Sequence, residues 1–386
     1  MLKKLILSVC AAAGIGLSGS AFISVGHAES VVRIDKSIVD PGEGNATAFL
    51  EKPVYIVDGR IMLPIRELGR YAGIRTFWDA KTKTASLREI SRVINLKIGS
   101  KTASVDGRET ALDVPARLIN GDTYIPLKFV AKALNLTVTW DSASRTVNLP
   151  AERVIGSEGD VSFLMSRDLP RIFKAVGQKR AILIGKTKMD YFHGFDLQVK
   201  KLSDTSEYLT ISDVTGPSNR VRQTERMLVT EYKIVKDTLL SLNGDYPDTS
   251  LDKSGDRWLF TDGKKTEFVD REGRATASYD FARIMNQTDK NYLVEYANPK
   301  FLIVREYESQ HLILYNLNTK QPVYLHEVLN LPQAEKDYLI RAGEDRYNEA
   351  GKDTIIKFVK SDNDTASFRY TFSSDGKIHT YTYKLN

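Results

Sequence analysis

The apolar positions of this chain come in short runs broken by turn residues, and one arrangement of them occurs twice. From Pro53 to Leu87 the chain reads PVYIVDGRIMLPIRELGRYAGIRTFWDAKTKTASL, and from Pro115 to Leu149 it reads PARLINGDTYIPLKFVAKALNLTVTWDSASRTVNL. The two stretches align without a gap at an offset of 62 positions (115 − 53). Pro53/Pro115, Gly59/Gly121, Pro64/Pro126, Trp78/Trp140, Asp79/Asp141, Thr84/Thr146 and Leu87/Leu149 are identical. Each copy predicts the same elements. Tyr55-Ile56-Val57 and Arg117-Leu118-Ile119 are short strands. Asp58-Gly59 and Asn120-Gly121 are two-residue turn signals, and Ile61-Met62-Leu63 and Thr123-Tyr124-Ile125 return the hairpin. Pro64 and Pro126 stand where a helix start tolerates a missing N–H. Ile65, Leu68 and Ala72 then share a helix face, as Leu127, Val130, Ala131 and Leu134 do. Gly73 and Asn135 are placed as left-handed caps. A strand ending in Trp-Asp, a polar turn and a last strand close each unit. Upstream, Val31 to Ile34 falls in register with Val93 to Leu96. One supersecondary unit is used twice.

Beyond the second copy the pattern changes. Residues 151–160 (AERVIGSEGD) are polar and contain glycine, which predicts a linker. Leu164 to Val176 predicts a short helix interrupted by Pro170. Strand patterns follow at Ala181 to Ile184, Phe195 to Leu202, Tyr208 to Val214 and Met227 to Val235. The most regular segment, Asn291 to His326, predicts four strands joined by tight turns, like one blade of a β-propeller. Trp258 to Thr276 and Thr354 to Leu385 fit partial blades, and a β-sandwich fits nearly as well. Pro332 to Ala350 predicts a helix with Tyr338, Leu339, Ala342 and Tyr347 as its buried stripe. The expected fold class is α+β. A twisted antiparallel sheet with short helices, built from a tandem repeat over residues 29–150, precedes a β-rich domain over 161–386 that is propeller-like or a sandwich.

Composition adds the setting. Apolar residues make up 42% and charged residues 27% of 386 positions, so a core can be buried. Lys3 and Lys4, the apolar run from Leu5 to about Val25 and the small residues around Ala28 predict a secretory signal peptide over 1–28. An uncleaved membrane anchor is the alternative. Cys10 is the only cysteine and lies in that segment, preceded by Val9 rather than the small residue a lipoprotein would need. The net charge of +6 is spread out, and no Lys/Arg block is dense enough for nucleic acid.

The blocks Ile119-Asn120-Gly121-Asp122-Thr123-Tyr124-Ile125-Pro126-Leu127-Lys128 and Val138-Thr139-Trp140-Asp141 resemble the copper amine oxidase N-terminal-like domain, or stalk domain. So, more weakly, do Val57 to Arg66 and Thr76 to Asp79. The first copy departs at Met62, and at Glu67 where the second has Phe129. The resemblance covers about residues 31–150. It implies a non-catalytic accessory module of secreted proteins from Gram-positive spore formers. Copper amine oxidase chemistry is not expected. It would need three histidine ligands and a quinone-forming tyrosine, whereas Asn291-Tyr292 is followed by Leu293. His193, His311, His326 and His379 are scattered.

Other candidates have preferred structural readings. Trp78-Asp79 and Trp140-Asp141 could stack on sugars, but recurrence in a repeat favours packing and turn formation. Asp245-Tyr246-Pro247-Asp248 with Ser250, Asp252 and Asp256 could hold calcium but lacks a calcium loop's spacing. Ser361-Asp362-Asn363-Asp364 reads as a hairpin tip. Tyr370, Tyr381 and Tyr383 read as sheet packing, with a sugar- or peptide-binding surface as the alternative. No catalytic, cofactor-binding or metal-ligating residue is assigned, and no cofactor is expected. The sequence therefore predicts an exported, non-catalytic protein, secreted or cell-wall associated. Its stalk-type domain is an accessory unit, and its β-rich domain over 161–386 binds a cell-envelope or extracellular ligand, the partner being a cell-wall polymer or another envelope protein. An envelope hydrolase using carboxylates from residues 161–386 is the alternative.

Overall fold

The computed structural model describes residues 31–34, 38–40, 48–149, 153–166, 170–189, 196–215, 220–244, 246–344, 355–362 and 364–385. The expected signal segment, His193 and Tyr347 lie outside the described residues. Strand greatly outweighs helix, as expected of a β-rich chain.

Three short strands come first, β1 (Val31–Ile34), β2 (Ile38–Asp40) and β3 (Ala48–Phe49). The first hairpin–helix unit follows: β4 (Val54–Val57), β5 (Arg60–Pro64), α1 (Ile65–Ala72), β6 (Arg75–Asp79) and β7 (Thr84–Arg88). Then come β8 (Val93–Lys97), β9 (Thr102–Val105) and β10 (Arg108–Ala111). The second unit is β11 (Arg117–Ile119), β12 (Asp122–Pro126), α2 (Leu127–Leu134), β13 (Thr139–Asp141) and β14 (Thr146–Asn148). Local chemistry sets these boundaries. Asp58 and Gly59 both have positive φ (48° and 73°), as do Asn120 and Gly121 (51° and 85°), which is what a type I′ turn requires. Each helix starts directly after its proline and ends on a left-handed cap, Gly73 or Asn135.

Strand β5 pairs antiparallel with β12, setting Leu63 opposite Ile125, Met62 opposite Pro126 and Pro64 opposite Tyr124. Leu63 and Ile125 are themselves 62 residues apart, so the pairing lies on a local two-fold axis relating the units. The five-stranded sheet runs β1-β4-β5-β12-β11. Leu63, Ile125, Leu68, Val130 and Leu134 fill the core beneath it. On the other face Tyr55 and Tyr124 meet edge to face, with centroids 5.0 Å apart.

The single antiparallel sheet expected here is not what forms. The unit-closing hairpins go to different sheets, β10-β9-β8-β7-β6 and β13-β14-β2-β3, and β14 pairs with β2 in parallel. The first closing hairpin is followed by strands that extend its sheet. The second instead meets β2, which with β3 covers an edge otherwise left unpaired.

Two expectations for the next segment are corrected. The expected linker over 151–160 contains β15 (Arg153–Glu158), and the expected helix from Leu164 to Val176 falls on the second half of β16 (Val161–Ser166) and on β17 (Arg171–Val176). Val161, Phe163 and Met165 alternate into one core, a period of two rather than 3.6. With β18 (Ile182–Lys186) they make a four-stranded antiparallel meander. A second comprises β19 (Asp196–Lys201), β20 (Ser206–Thr215), β21 (Val221–Thr230) and β22 (Lys233–Asn243). Met227 to Val235, expected as one strand, turns at Glu231, whose φ is 54°. A third comprises β23 (Lys253–Ser254), β24 (Arg257–Thr261), β25 (Lys265–Val269) and β26 (Ala275–Asp280), followed by α3 (Phe281–Ile284). The fourth matches the four strands anticipated, β27 (Tyr292–Ala297), β28 (Phe301–Glu306), β29 (Leu312–Asn316) and β30 (Gln321–Tyr324). Helices α4 (Leu325–Val328) and α5 (Gln333–Glu344) precede a three-stranded sheet of β31 (Lys357–Ser361), β32 (Thr365–Thr371) and β33 (Ile378–Lys384). On α5 Leu339 is buried and Tyr338 half-buried.

Consecutive sheets share cores. The first and second meet through Phe163 and Met227, the second and third through Tyr208 and Phe260, the third and fourth through Phe268 and Val304, the fourth and fifth through Ile303 and Phe368. Their first strands are also neighbours. Lys200 reaches Asp252, Ser254 Oγ donates to the Ala297 carbonyl (3.0 Å), and Tyr296 packs on Phe358 with centroids 4.5 Å apart. The repeat region docks on the first of these sheets. Arg75 is buried and donates to the carbonyls of Gly177 (2.8 Å) and Lys179 (3.0 Å), and Arg153 pairs with Glu89 (3.1 Å).

Candidate functional site

Because β5 and β12 cross at the two-fold, each helix start lies beside the other unit's hairpin. Two related clefts result. The first, about 420 Å³, is lined by Arg60 and Ile61 from one unit, Lys128, Phe129 and Lys132 from α2, and Thr110 and Asp113. The second, about 230 Å³, is lined by Asp122 and Thr123 from the opposite hairpin, Arg66, Glu67 and Arg70 from α1, and Glu51 and Lys52. The 62-residue offset carries one set onto the other. Arg66 answers to Lys128, Arg70 to Lys132, Glu51 to Asp113, Asp122 to Arg60 and Glu67 to Phe129.

Their electrostatics differ. In the second cleft three cations face three carboxylates. Arg70 pairs with Glu51 (2.6 Å) and Lys52 with Asp122 (3.1 Å). Glu67 is only 3% exposed, and burial raises its pKa. In the first cleft three cations face one carboxylate. Arg60 holds Asp113 at 2.9 Å, while the side-chain ammonium groups of Lys128 and Lys132 form no ion pair or hydrogen bond with a described residue. They lie one helical turn apart on α2, exposed, with half-buried Phe129 between them in sequence.

The residues singled out in the sequence fall elsewhere. Asp79 accepts from the N–H of Lys81 (2.9 Å), and Asp141 from that of Ala143 (2.9 Å), so both start turns as expected. Trp140 packs against the core, but Trp78 is 44% exposed and edges the second cleft. Asp248 forms a buried pair with Arg226 (2.8 Å), and Asp252 is taken by Lys200. Asp245 is outside the described residues. Asp362 accepts from the N–H groups of Asp364 and Thr365 at the β31–β32 turn, a hairpin tip as anticipated. Tyr370 lies on β32, opposite His379, while Tyr381 and Tyr383 lie on β33. All three tyrosines pack into one core. His311 and His326 stack with centroids 4.2 Å apart, and His379 stacks on Phe372 at 3.8 Å. Tyr292 is buried among apolar groups. Among the described residues no three His, Cys, Asp or Glu side chains converge on a metal-sized site.

Several buried ionisable groups of the β-rich region are engaged internally. Lys174 pairs with Glu207 (2.6 Å) and Arg305 with Glu295 (2.5 Å). Glu335 accepts from Tyr370 (2.8 Å), Ser373 and Ser374. Burial alone would raise its pKa, but these hydrogen bonds outweigh it and bring the carboxyl to about 2.

The sequence pattern did not single out Lys128 and Lys132. The signal that existed was the exchange of Glu67 for Phe129 between otherwise matching units.

Residues 43–149 match the copper amine oxidase N-terminal domain family. This stretch holds both clefts. A "Protease inhibitor" from Brevibacillus choshinensis is 28% identical over 102 residues, which is 26% of this chain and 29% of that protein. The chain thus spans under a third of the length of this relative. Solved structures with similarity include a nidogen/laminin complex (12% identity, 77% of this chain and 92% of that one, TM-score 0.21). Apo AztD from Citrobacter koseri (9%, 72% and 87%, TM-score 0.24) and a streptogramin B lyase (10%, 92% and 87%, TM-score 0.22) are others. At these TM-scores the likenesses carry no assignment.

Proposed function

We propose that this chain is an exported, non-catalytic protein that binds the cell envelope. In this reading the copper amine oxidase N-terminal-type region is an α+β accessory unit built by duplication, and it makes the attachment. The β-rich region is a set of blades about a common axis, presenting a surface to a second envelope partner. What supports binding over catalysis is the contrast in charge. The buried carboxylates Glu207 and Glu335 and the half-buried Glu295 are held by internal partners, whereas the first cleft keeps two exposed lysines beside an aromatic ring.

Co-sedimentation of the purified chain with isolated Gram-positive cell walls, across a salt series, tests this. The chain is expected to pellet at low salt and to be released as salt rises, since exposed charge is screened over about 10 Å at 0.1 M. A chain that stays in the supernatant at low salt overturns the attachment reading. Release of soluble wall fragments on incubation would instead establish the hydrolase.

A further inference from the structure

We propose that the first cleft is a binding site for phosphate esters, with the phosphate held between Lys128 and Lys132 and the ester's carbon chain against Phe129 and Ile61. The warrant is the comparison the molecule makes with itself. The same architecture occurs twice, and in one copy it is closed by its own carboxylates. Where the second cleft has Glu67, the first has Phe129, and where the second has Asp122, the first has Arg60. Both exchanges remove negative charge from the same surface. The first cleft is formally doubly positive and the second neutral.

Nothing among the described residues takes the place of the missing charge. Arg60 is occupied by Asp113, which leaves Lys128 and Lys132 for an incoming anion. Lysine ammonium groups are compact point charges that bind phosphate without the planar fork a carboxylate favours from arginine. At about 420 Å³ the cleft falls within the ~300–1,000 Å³ span of small-ligand sites, and the second, at about 230 Å³, falls below it. Phe129 and Ile61 supply an apolar wall that a bare anion would not use.

The proposal deepens the attachment reading by naming its ligand chemistry, and the two can fail separately. Isothermal titration of the full chain at low ionic strength would use glycerol 3-phosphate, a poly(glycerol phosphate) chain, inorganic phosphate, succinate and glycerol. The two phosphate esters are expected to bind more tightly than phosphate or succinate, and glycerol not at all. A stronger response from the polymer than from the monomer assigns the ligand to a wall polymer; the reverse assigns it to a free metabolite. The double variant Lys128→Gln/Lys132→Gln, exposed and unpaired, should weaken ester binding at least tenfold with an unchanged thermal midpoint. Phe129→Glu, which installs the second cleft's residue, should abolish it. Arg66→Gln/Arg70→Gln should leave it within twofold. Equal loss from both double variants, or tight succinate binding, overturns the site. Ester binding without wall co-sedimentation keeps the site and ends the attachment reading; wall binding without ester binding does the opposite.

Discussion

Glu225 sits on β21 with no exposed surface, receiving hydrogen bonds from the Thr187 hydroxyl and the Lys188 N–H. Burial pushes its pKa up to about 7 from an ordinary 4.5, against the opposing pull of those hydrogen bonds. Between about 4.5 and 7 the folded chain therefore keeps a proton that the unfolded chain has released. Stability falls as pH rises through that window, by up to about 3 kcal/mol from this group. Glu225→Gln, neutral at every pH, should flatten the dependence and make the variant the more stable protein at pH 8. Denaturant unfolding at pH 5 and pH 8 checks this, and parallel pH dependence in both proteins would contradict it. Glu335 acts with the opposite sign. Its hydrogen bonds stabilise the carboxylate, and their contribution is lost as pH falls from 4.5 towards 2.

At the level of elements, legibility in the sequence followed from where the information is stored. The hairpin–helix units could be read because Asp58-Gly59, Asn120-Gly121, Pro64, Pro126, Gly73 and Asn135 each act on their immediate neighbours. The β27–β30 meander could be read because its turns are short and polar. Strand β15 was not legible, and Gly156 shows why. A glycine amid polar residues looks like a linker. In the fold a Cβ at this position would lie 2.5 Å from the Leu197 carbonyl oxygen, so the glycine lets β15 and β19 approach. That requirement comes from a strand about forty positions away. Gly156→Ala should destabilise by about 1–3 kcal/mol, the usual effect of overpacking. Gly159→Ala, whose Cβ would meet nothing within 4 Å, should show only the milder cost of its positive φ (60°). Thermal unfolding of the pair separates the two effects. The first cleft was illegible for the same reason. Lys128 and Lys132 join Arg60 only after β5 has paired with β12.

Across the molecule, the repeat region and the β-rich region are joined by more than the chain. Arg75 carries a buried guanidinium from β6 to two carbonyls at the β17–β18 turn, and Arg153 of β15 pairs with Glu89. Leaving those two carbonyls without their charged donor is expensive. Arg75→Ala should therefore cost about 1–3 kcal/mol and split a single calorimetric transition into two, with the region over residues 31–149 melting first. One unsplit transition at a lowered midpoint would show that the remaining contacts suffice. The two-fold at Leu63 and Ile125 has a consequence of another kind. In a symmetric dimer of identical chains, every substitution appears on both sides of the axis, so a change that opens one binding surface opens its twin and doubles any damage to the fold. Here both halves lie in one chain, and each position can change alone. One side can keep its carboxylates and hold the structure shut while the other gives them up.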